Sequence, residues 1–167
     1  LKKCPIASKT PLWEIENFLP YGKLWVKDER ERMGLGSFKA LGAAYVIASH
    51  AQNLTENPSS TTLAGKTYVT ASAGNHGLSL AAGAKVFGAK AVVYISETVP
   101  ESFSERLREK GAIPVRKGSD YATSMSAALE AAEENNWILL SDSSWENYID
   151  KPLKLMEGYL QMADEAI

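Results

Sequence analysis

One lysine and one loop carry the chemistry that this sequence can support. Lys39 lies in GLGSFKALG, residues 34–42, where three glycines and a serine surround a single amine at the point where a loop becomes a helix. An amine kept partly out of water gives up its proton more readily than one in bulk solvent, which suits it to attack a carbonyl. The second stretch is TASAGNHGLSLA, 70–81, in which Ser72, Gly74, Asn75, His76 and Gly77 follow a strand-like run and open a helix-like one. Backbone N–H groups at such a helix start converge on an anion, and a carboxylate fits there. Taken singly, the loop also reads as an ordinary helix cap with turn glycines, and a lone lysine as a solvated surface residue.

A scaffold must bring these two stretches together. KLWVKDE, 23–29, reads as a short strand and residues 37–50 as a helix, with Phe38, Leu41, Tyr45 and Ala48 as its apolar stripe. Lys39 lies off that stripe, on one face with Gly42, Ala43 and Val46, a row small enough to admit a flat partner. ENPSSTTLAGK, 56–66, is a polar connector. Beyond it come TYVTA (67–71), a helix over 76–87, AVVYI (91–95), a helix over about 102–110, IPV, a further helix and WILL. Short continuous apolar runs of this kind predict a parallel sheet covered by helices on both faces. Ser102 and Glu105 have capping-box spacing, and Lys110 with Gly111 marks that helix's end. Asp120 is the expected cap of the next helix, whose buried stripe is Met125, Ala128, Leu129 and Ala132. Right-handed crossovers then gather the strand-to-helix loops along one sheet edge, where α/β proteins bind ligands.

Composition narrows the field. The 167 residues are 45% hydrophobic, with a formal net charge of -2 and no block of like charges, which speaks against a nucleic-acid partner. No apolar run approaches the roughly 18 residues that span a bilayer, so no membrane partner is expected. Cys4 is the lone cysteine and has no internal disulfide partner, which fits a cytoplasmic, reducing compartment. His50 and His76 are the only histidines, and no Cys/His cluster has metal-ligand spacing, so no metal is expected. The GLG of 34–36 begins like a dinucleotide fingerprint without completing it, and its Gly34 and Gly36 instead let the loop approach a ligand. Glu29, Arg30, Glu31 and Arg32 read as a solvated charge run.

In this order and separation, GSFKALGAAYV and SAGNHGLSLA resemble the fold type II pyridoxal-phosphate enzymes, among them threonine dehydratases and serine racemases. The resemblance implies an α/β chain with the three-layer parallel-sheet, Rossmann-like fold of the tryptophan synthase beta-subunit-like enzymes. It implies pyridoxal 5'-phosphate as cofactor, held by Lys39 as an internal Schiff base. It also sets Asn75 against the cofactor's 3-oxygen, and Ser72 and Gly74, with Asn75 and His76, around the substrate. A His76 that donates to a leaving group is the lesser reading beside capping or packing. SDSSWENYIDKPLKLMEGYLQMADEA, 141–166, further resembles the segment that marks 2,3-diaminopropionate ammonia-lyases. That resemblance implies α,β-elimination from a small amino acid to pyruvate and ammonia, a role in amino-acid catabolism, and a homodimer at full length. Asp142 matches an acidic residue near the substrate. The alternatives are a threonine or serine dehydratase and a non-catalytic, truncated α/β binding module.

Two features modify that picture. Ala73 stands where the lyase loop carries an aspartate associated with proton removal from one enantiomer, which leaves use of the D-isomer unsupported. The glycine run that grips the cofactor phosphate in this family is missing from the chain, so the expectation is an incomplete enzyme that holds the cofactor weakly by itself. A start at LKKCPIASK without methionine agrees with trimming. The expected division is 1–66 as the first part of a large cofactor domain, 67–140 as a small α/β domain, and 141–167 as a return into the large domain, whose remainder is absent. On its own pattern, the last segment is a helix capped by Asp150 with Pro152 in its first turn. Its Leu153, Leu155, Met156, Tyr159, Leu160 and Met162 surround most of the circumference, as in a helix with partners on several sides.

Overall fold

The structure, a computed structural model, describes residues 7–167; Cys4 and the reading attached to it lie outside them. A two-stranded antiparallel hairpin opens the described chain, β1 (Leu12–Ile15) with β2 (Leu24–Lys27), and Leu12 faces Lys27 across it. A 3₁₀ turn at Phe38–Leu41 leads into α1 (Ala43–Leu54). Then follow β3 (Thr67–Ala71), α2 (Asn75–Val86), β4 (Lys90–Ile95), α3 (Glu101–Glu109) and β5 (Ala112–Arg116). The chain continues through α4 (Tyr121–Glu134), the short β6 (Ile138–Leu139) and α5 (Asp150–Ala166).

Four strands form a parallel sheet in the order β5-β4-β3-β6. Side chains alternate across it, as the two-residue repeat of a strand demands. Val69, Ala71, Val92 and Tyr94 pack against Met125, Ala128, Ala131 and Ala132 of α4. Tyr68, Ala91, Val93 and Ile95 face the other way, toward a core that holds Ile47 of α1, Leu78 and Leu80 of α2, and Leu107 of α3. Handedness produces these three layers. Strands β3, β4 and β5 are laid down in one direction, so right-handed crossovers put α2 and α3 on one face. The step from β5 to β6 runs the opposite way and puts α4 on the other. Helix α2 is buried nearly all round, and its Gly83 is needed for close approach: a Cβ there would lie 2.9 Å from Ala44 Cα.

The expected helix over 37–50 is broken at Gly42. The cause is α5, which crosses so closely that a Cβ on Gly42 would sit 2.7 Å from Tyr159 Oη, while one on Gly158 would strike the Leu41 carbonyl. Because the 3₁₀ turn rotates the residues before the break, the buried face is Ala40, Leu41, Ala43, Ile47 and Ala51. Phe38, Tyr45 and Ala48 are only half-buried, and Lys39 does not share a helical face with Gly42, Ala43 and Val46. Other local expectations divide. Asp120 caps α4 by accepting from Thr123 N–H at 2.8 Å, and Gly111 ends α3 at φ +91°. Ser102 caps nothing, because α3 starts one residue earlier after Pro100, and Asp150 is the first residue of α5 rather than its cap. Leu153, Met156 and Leu160 of α5 are exposed, so that helix is covered on one side and not on several. No helix among the described residues is long and apolar enough to cross a membrane.

The charge run 29–32 is solvated at Arg30 and Glu31, but Glu29 and Arg32 turn inward. Arg32 is 2% exposed and donates to Glu29 at 2.7 Å, to Glu165 of α5 at 2.7 and 2.8 Å, to Thr10 Oγ1 at 2.9 Å and to the Ser8 carbonyl at 3.0 Å. Lys27 pairs with the same Glu165 at 2.8 Å, so two cations and two carboxylates close a buried neutral cluster. Four charges can be buried together because every one is paired and most of their hydrogen-bonding positions are filled. Hydrogen bonding from Arg32 holds the Glu165 carboxyl well below the usual carboxylate range. Its contribution to stability is therefore present above the unfolded glutamate value, about 4.3, and is lost as pH falls below it. Replacing Arg32 by leucine leaves Glu29 and Glu165 in excess over Lys27 and is expected to cost about 3–5 kcal/mol, read as a lower denaturant midpoint.

Candidate active site

The site lies at the switch in strand order. Strands β4 and β5 are added on one side of β3 and β6 on the other, so the loops leaving β3 and β6 stand side by side and flank a crevice at the carboxyl edge of the sheet. Two hydrogen bonds stitch the crevice walls below the opening. Leu140 N–H donates to the Val69 carbonyl at 2.9 Å, and His76 Nε2 donates to the Leu140 carbonyl at 2.8 Å. A third element is drawn in by α2, whose Ser79 Oγ accepts from Ala44 N–H at 3.3 Å and donates to the Ala40 carbonyl at 3.4 Å. The turn that carries Lys39 is thereby fixed beside both loops.

Lys39 Nζ and Asp142 Oδ2 are 2.9 Å apart, with side chains 31% and 26% exposed. The rings of Phe38 and Tyr159 flank the amine, their centroids 5.7 and 5.8 Å away. Burial pulls the Lys39 amine down, but the Asp142 carboxylate and Tyr159 push it up, and the balance lies above the ordinary lysine value. Burial pushes Asp142 up, yet His76 and Lys39 bring it below the ordinary aspartate value. The pair is an ammonium facing a carboxylate. This reverses the expectation of an amine made neutral by its pocket: the crevice is open enough to keep solvent on both groups, and the counter-ion outweighs desolvation.

The loop after β3 is ordered by its own serine. Ser72 Oγ accepts from Gly74 N–H at 3.3 Å and from Gly77 N–H at 3.2 Å, which takes up one of the donors that a helix start leaves unpaired. Ala73 and Asn75 are exposed, and a Cβ on Gly74 would meet no atom within 4 Å, so the loop presents open space at the start of α2. His76 is 3% exposed and held below the ordinary histidine range by burial. With Nε2 donating to a carbonyl, its Nδ1 is a buried acceptor that has no partner among the described residues. In this geometry His76 packs and stitches the crevice.

These residues fit a flat cofactor that carries an aldehyde. The requirements are an accessible amine, aromatic walls, a polar group free to meet an oxygen carried on the ring and an open approach past a glycine. Lys39, Phe38 with Tyr159, Asn75 and Gly74 meet them in turn. Lys39, Asp142 and the Ser72–His76 loop, expected from the sequence, all converge on this crevice. Sequence reasoning missed Ser79 as the clamp on the lysine turn and Tyr159 as a wall. Ser79 carries no pattern signal, and Tyr159 reads simply as one more apolar position of α5.

Comparison with known proteins gives a consistent picture. A family model described as pyridoxal-phosphate dependent enzyme matches residues 4–167. A diaminopropionate ammonia-lyase of Salmonella typhimurium is 32% identical over 181 residues, covering 99% of this chain and 45% of its own length. The crystal structure of selenomethionine-incorporated holo diaminopropionate ammonia lyase from Escherichia coli superposes with a TM-score of 0.90 at 30% identity, covering 99% of this chain and 46% of that one. A probable D-serine dehydratase of Paracidovorax citrulli is 27% identical over 154 residues, 83% of this chain and 33% of its own length. The chain thus spans about half the length, or less, of these relatives.

The burial of His76 sets a testable expectation. Its folded value lies below the unfolded one, so the imidazole stays neutral and protonated at Nε2 as pH falls through about 6.5, the model-peptide value, where an exposed histidine gains charge. Nitrogen-15 chemical shifts of the two ring nitrogens across that range are the measurement.

Proposed function

The chain belongs to the pyridoxal-phosphate dependent enzymes, and from that premise we propose that the protein is an amino-acid ammonia-lyase that converts 2,3-diaminopropionate to pyruvate and ammonia. The observation that carries the reading is the Lys39–Asp142 pair, 2.9 Å apart at the crevice mouth and beside the Ser72–His76 loop. The likeness to diaminopropionate ammonia-lyases over nearly the whole chain supports the substrate.

When bound, pyridoxal phosphate supplies an electron-accepting ring that stabilises negative charge on the substrate's α-carbon. Lys39 Nζ is the group that would anchor it, and after release the same amine takes the α-proton. Both roles require the amine to shed the proton that Asp142 stabilises, so Asp142 is proposed to hold Lys39 as an ammonium until the site is filled. Asn75 is proposed to meet the cofactor's 3-oxygen. Ser72 and Gly74 would receive the substrate carboxylate at the start of α2, where the helix dipole favours an anion. His76 keeps the loop in place. With Ala73 in place of an acid, Lys39 is the one base proposed at the loop, which serves a single face of the α-carbon and favours one enantiomer, the L-isomer.

The division at 66 and 140 belongs to the same proposal. Residues 67–140 make the whole four-stranded sheet, and the Arg32–Glu165 pair ties 1–66 to 141–167. So do a cytoplasmic location and a homodimer of full-length chains. Apolar groups exposed on the hairpin, Trp13 and Trp25, and on α5, Met156 and Leu160, support burial against further protein surface. A serine dehydratase is the second reading, favoured by Ala73 and by the likeness to a probable D-serine dehydratase.

The test uses the complete gene product. Borohydride reduction with pyridoxal phosphate should place one adduct on Lys39. Lys39→Ala should lose it and slow pyruvate and ammonia release by about 10³-fold or more. Diaminopropionate should outrun serine and threonine, and the L-isomer the D-isomer. An adduct elsewhere, or none, sinks the assignment of Lys39; faster turnover of serine moves it to the dehydratase.

A further inference from the structure

One polar atom beside the Lys39–Asp142 pair is unaccounted for. The hydroxyl of Tyr159, on α5, is buried and has no hydrogen-bond partner among the described residues. Folded proteins rarely carry such a group without a use. Packing does not require it. The Tyr159 ring meets Phe38 edge to face, centroids 5.1 Å apart at 76°, a contact that a phenylalanine would make equally well. Yet the backbone is shaped around the hydroxyl, since Gly42 admits it at a point where a Cβ would lie 2.7 Å from the oxygen. The neighbouring Gly158 lets α5 come down onto the Lys39 turn, close to the Leu41 carbonyl. The ring that carries the hydroxyl has the Lys39 amine 5.8 Å from its centroid.

We propose that Tyr159 is a positioning residue for Lys39, its buried hydroxyl forming a second seat that accepts a hydrogen bond from the ammonium when the amine leaves Asp142. The inference rests on the reading of Lys39 as the reactive amine. A lysine that is first an anchor and then a base must move, and its four-carbon stem with three rotatable donors allows that. After taking a proton from substrate it is again an ammonium in a half-buried place, where an acceptor other than Asp142 keeps it from standing unpaired. A phenol hydroxyl has free lone pairs for this and adds no charge of its own. The aromatic walls support the same cation along the way.

A double-mutant cycle on the complete gene product freed of cofactor tests the idea. The pH dependence of Lys39 acetylation by trace acetic anhydride, read by mass spectrometry on the Lys39 peptide, gives the titration midpoint of the amine. Asp142→Asn should lower it. Tyr159→Phe alone should lower it only slightly, because the amine is seated on Asp142 and the hydroxyl is the lesser of its two supports there. Added to Asp142→Asn, the same change should lower it by a further unit or so, the size expected for one charge-assisted hydrogen bond. Equal shifts in the two backgrounds, or none in either, would overturn the proposal. A lower melting temperature for Tyr159→Phe than for the parent would overturn it too, since the hydroxyl would then be bonded elsewhere. The titration needs no cofactor, so an additive cycle removes the role of Tyr159 and leaves the lyase reading intact. The borohydride adduct decides that reading separately.

Discussion

Between β5 and β6 the chain changes the side of β3 on which it lays its strands, and the crevice exists because of that change. In open α/β sheets the point where the strand order reverses is where ligand crevices form. Asp142 follows the short β6, and the Ser72 loop follows β3, so the reversal sets both at the same opening. Once that edge is open, its walls need fixing from below. His76 does so with a bond to the Leu140 carbonyl, inside the hydrophobic layer rather than at the mouth.

Two of the molecule's groups of opposite charges, around Arg32 and at Lys39, differ in exposure, and that difference explains their different parts. Around Arg32 every charge is buried and paired, and no partner can leave without stranding another. At Lys39 both partners retain roughly a third or a quarter of their surface, so water can replace either one and the pair can open. Stability and reactivity use the same chemistry at different depths. The open arrangement also explains why Lys39 is charged: desolvation is too weak there to overcome a carboxylate in contact.

The sequence disclosed what is local and hid what is distant. Strand 67–71, the Asp120 cap and the glycine after α3 each follow from a few adjacent residues, and each stands where the pattern put it, while α2 starts one residue before its expected position. Resemblance identified Lys39 and Asp142 as candidates, but their contact joins residues 103 positions apart, and no periodicity encodes it. Arg32 looked solvated because its neighbours alternate in sign, whereas Glu165, 133 residues away, buries it. The break at Gly42 was hidden for the same reason: the stripe of the helix could be read, but the crossing of α5 that interrupts it could not. Ser102 failed on a smaller scale, the cap position falling two residues earlier at Pro100.

Helix α5 acts as a lever with a fixed far end. Glu165 is clamped by Arg32 and Lys27, and Tyr159, six residues earlier and about 9 Å along the axis, stands over the lysine. Rotation or lift at the clamp is transmitted along a rigid rod to the ring, since the two glycine contacts at Gly42 and Gly158 leave no slack between them. Loss of the clamp would therefore be felt at the reactive amine as well as in stability. The clamp that secures one end of the chain and the wall that stands over its nucleophile are two ends of a single helix.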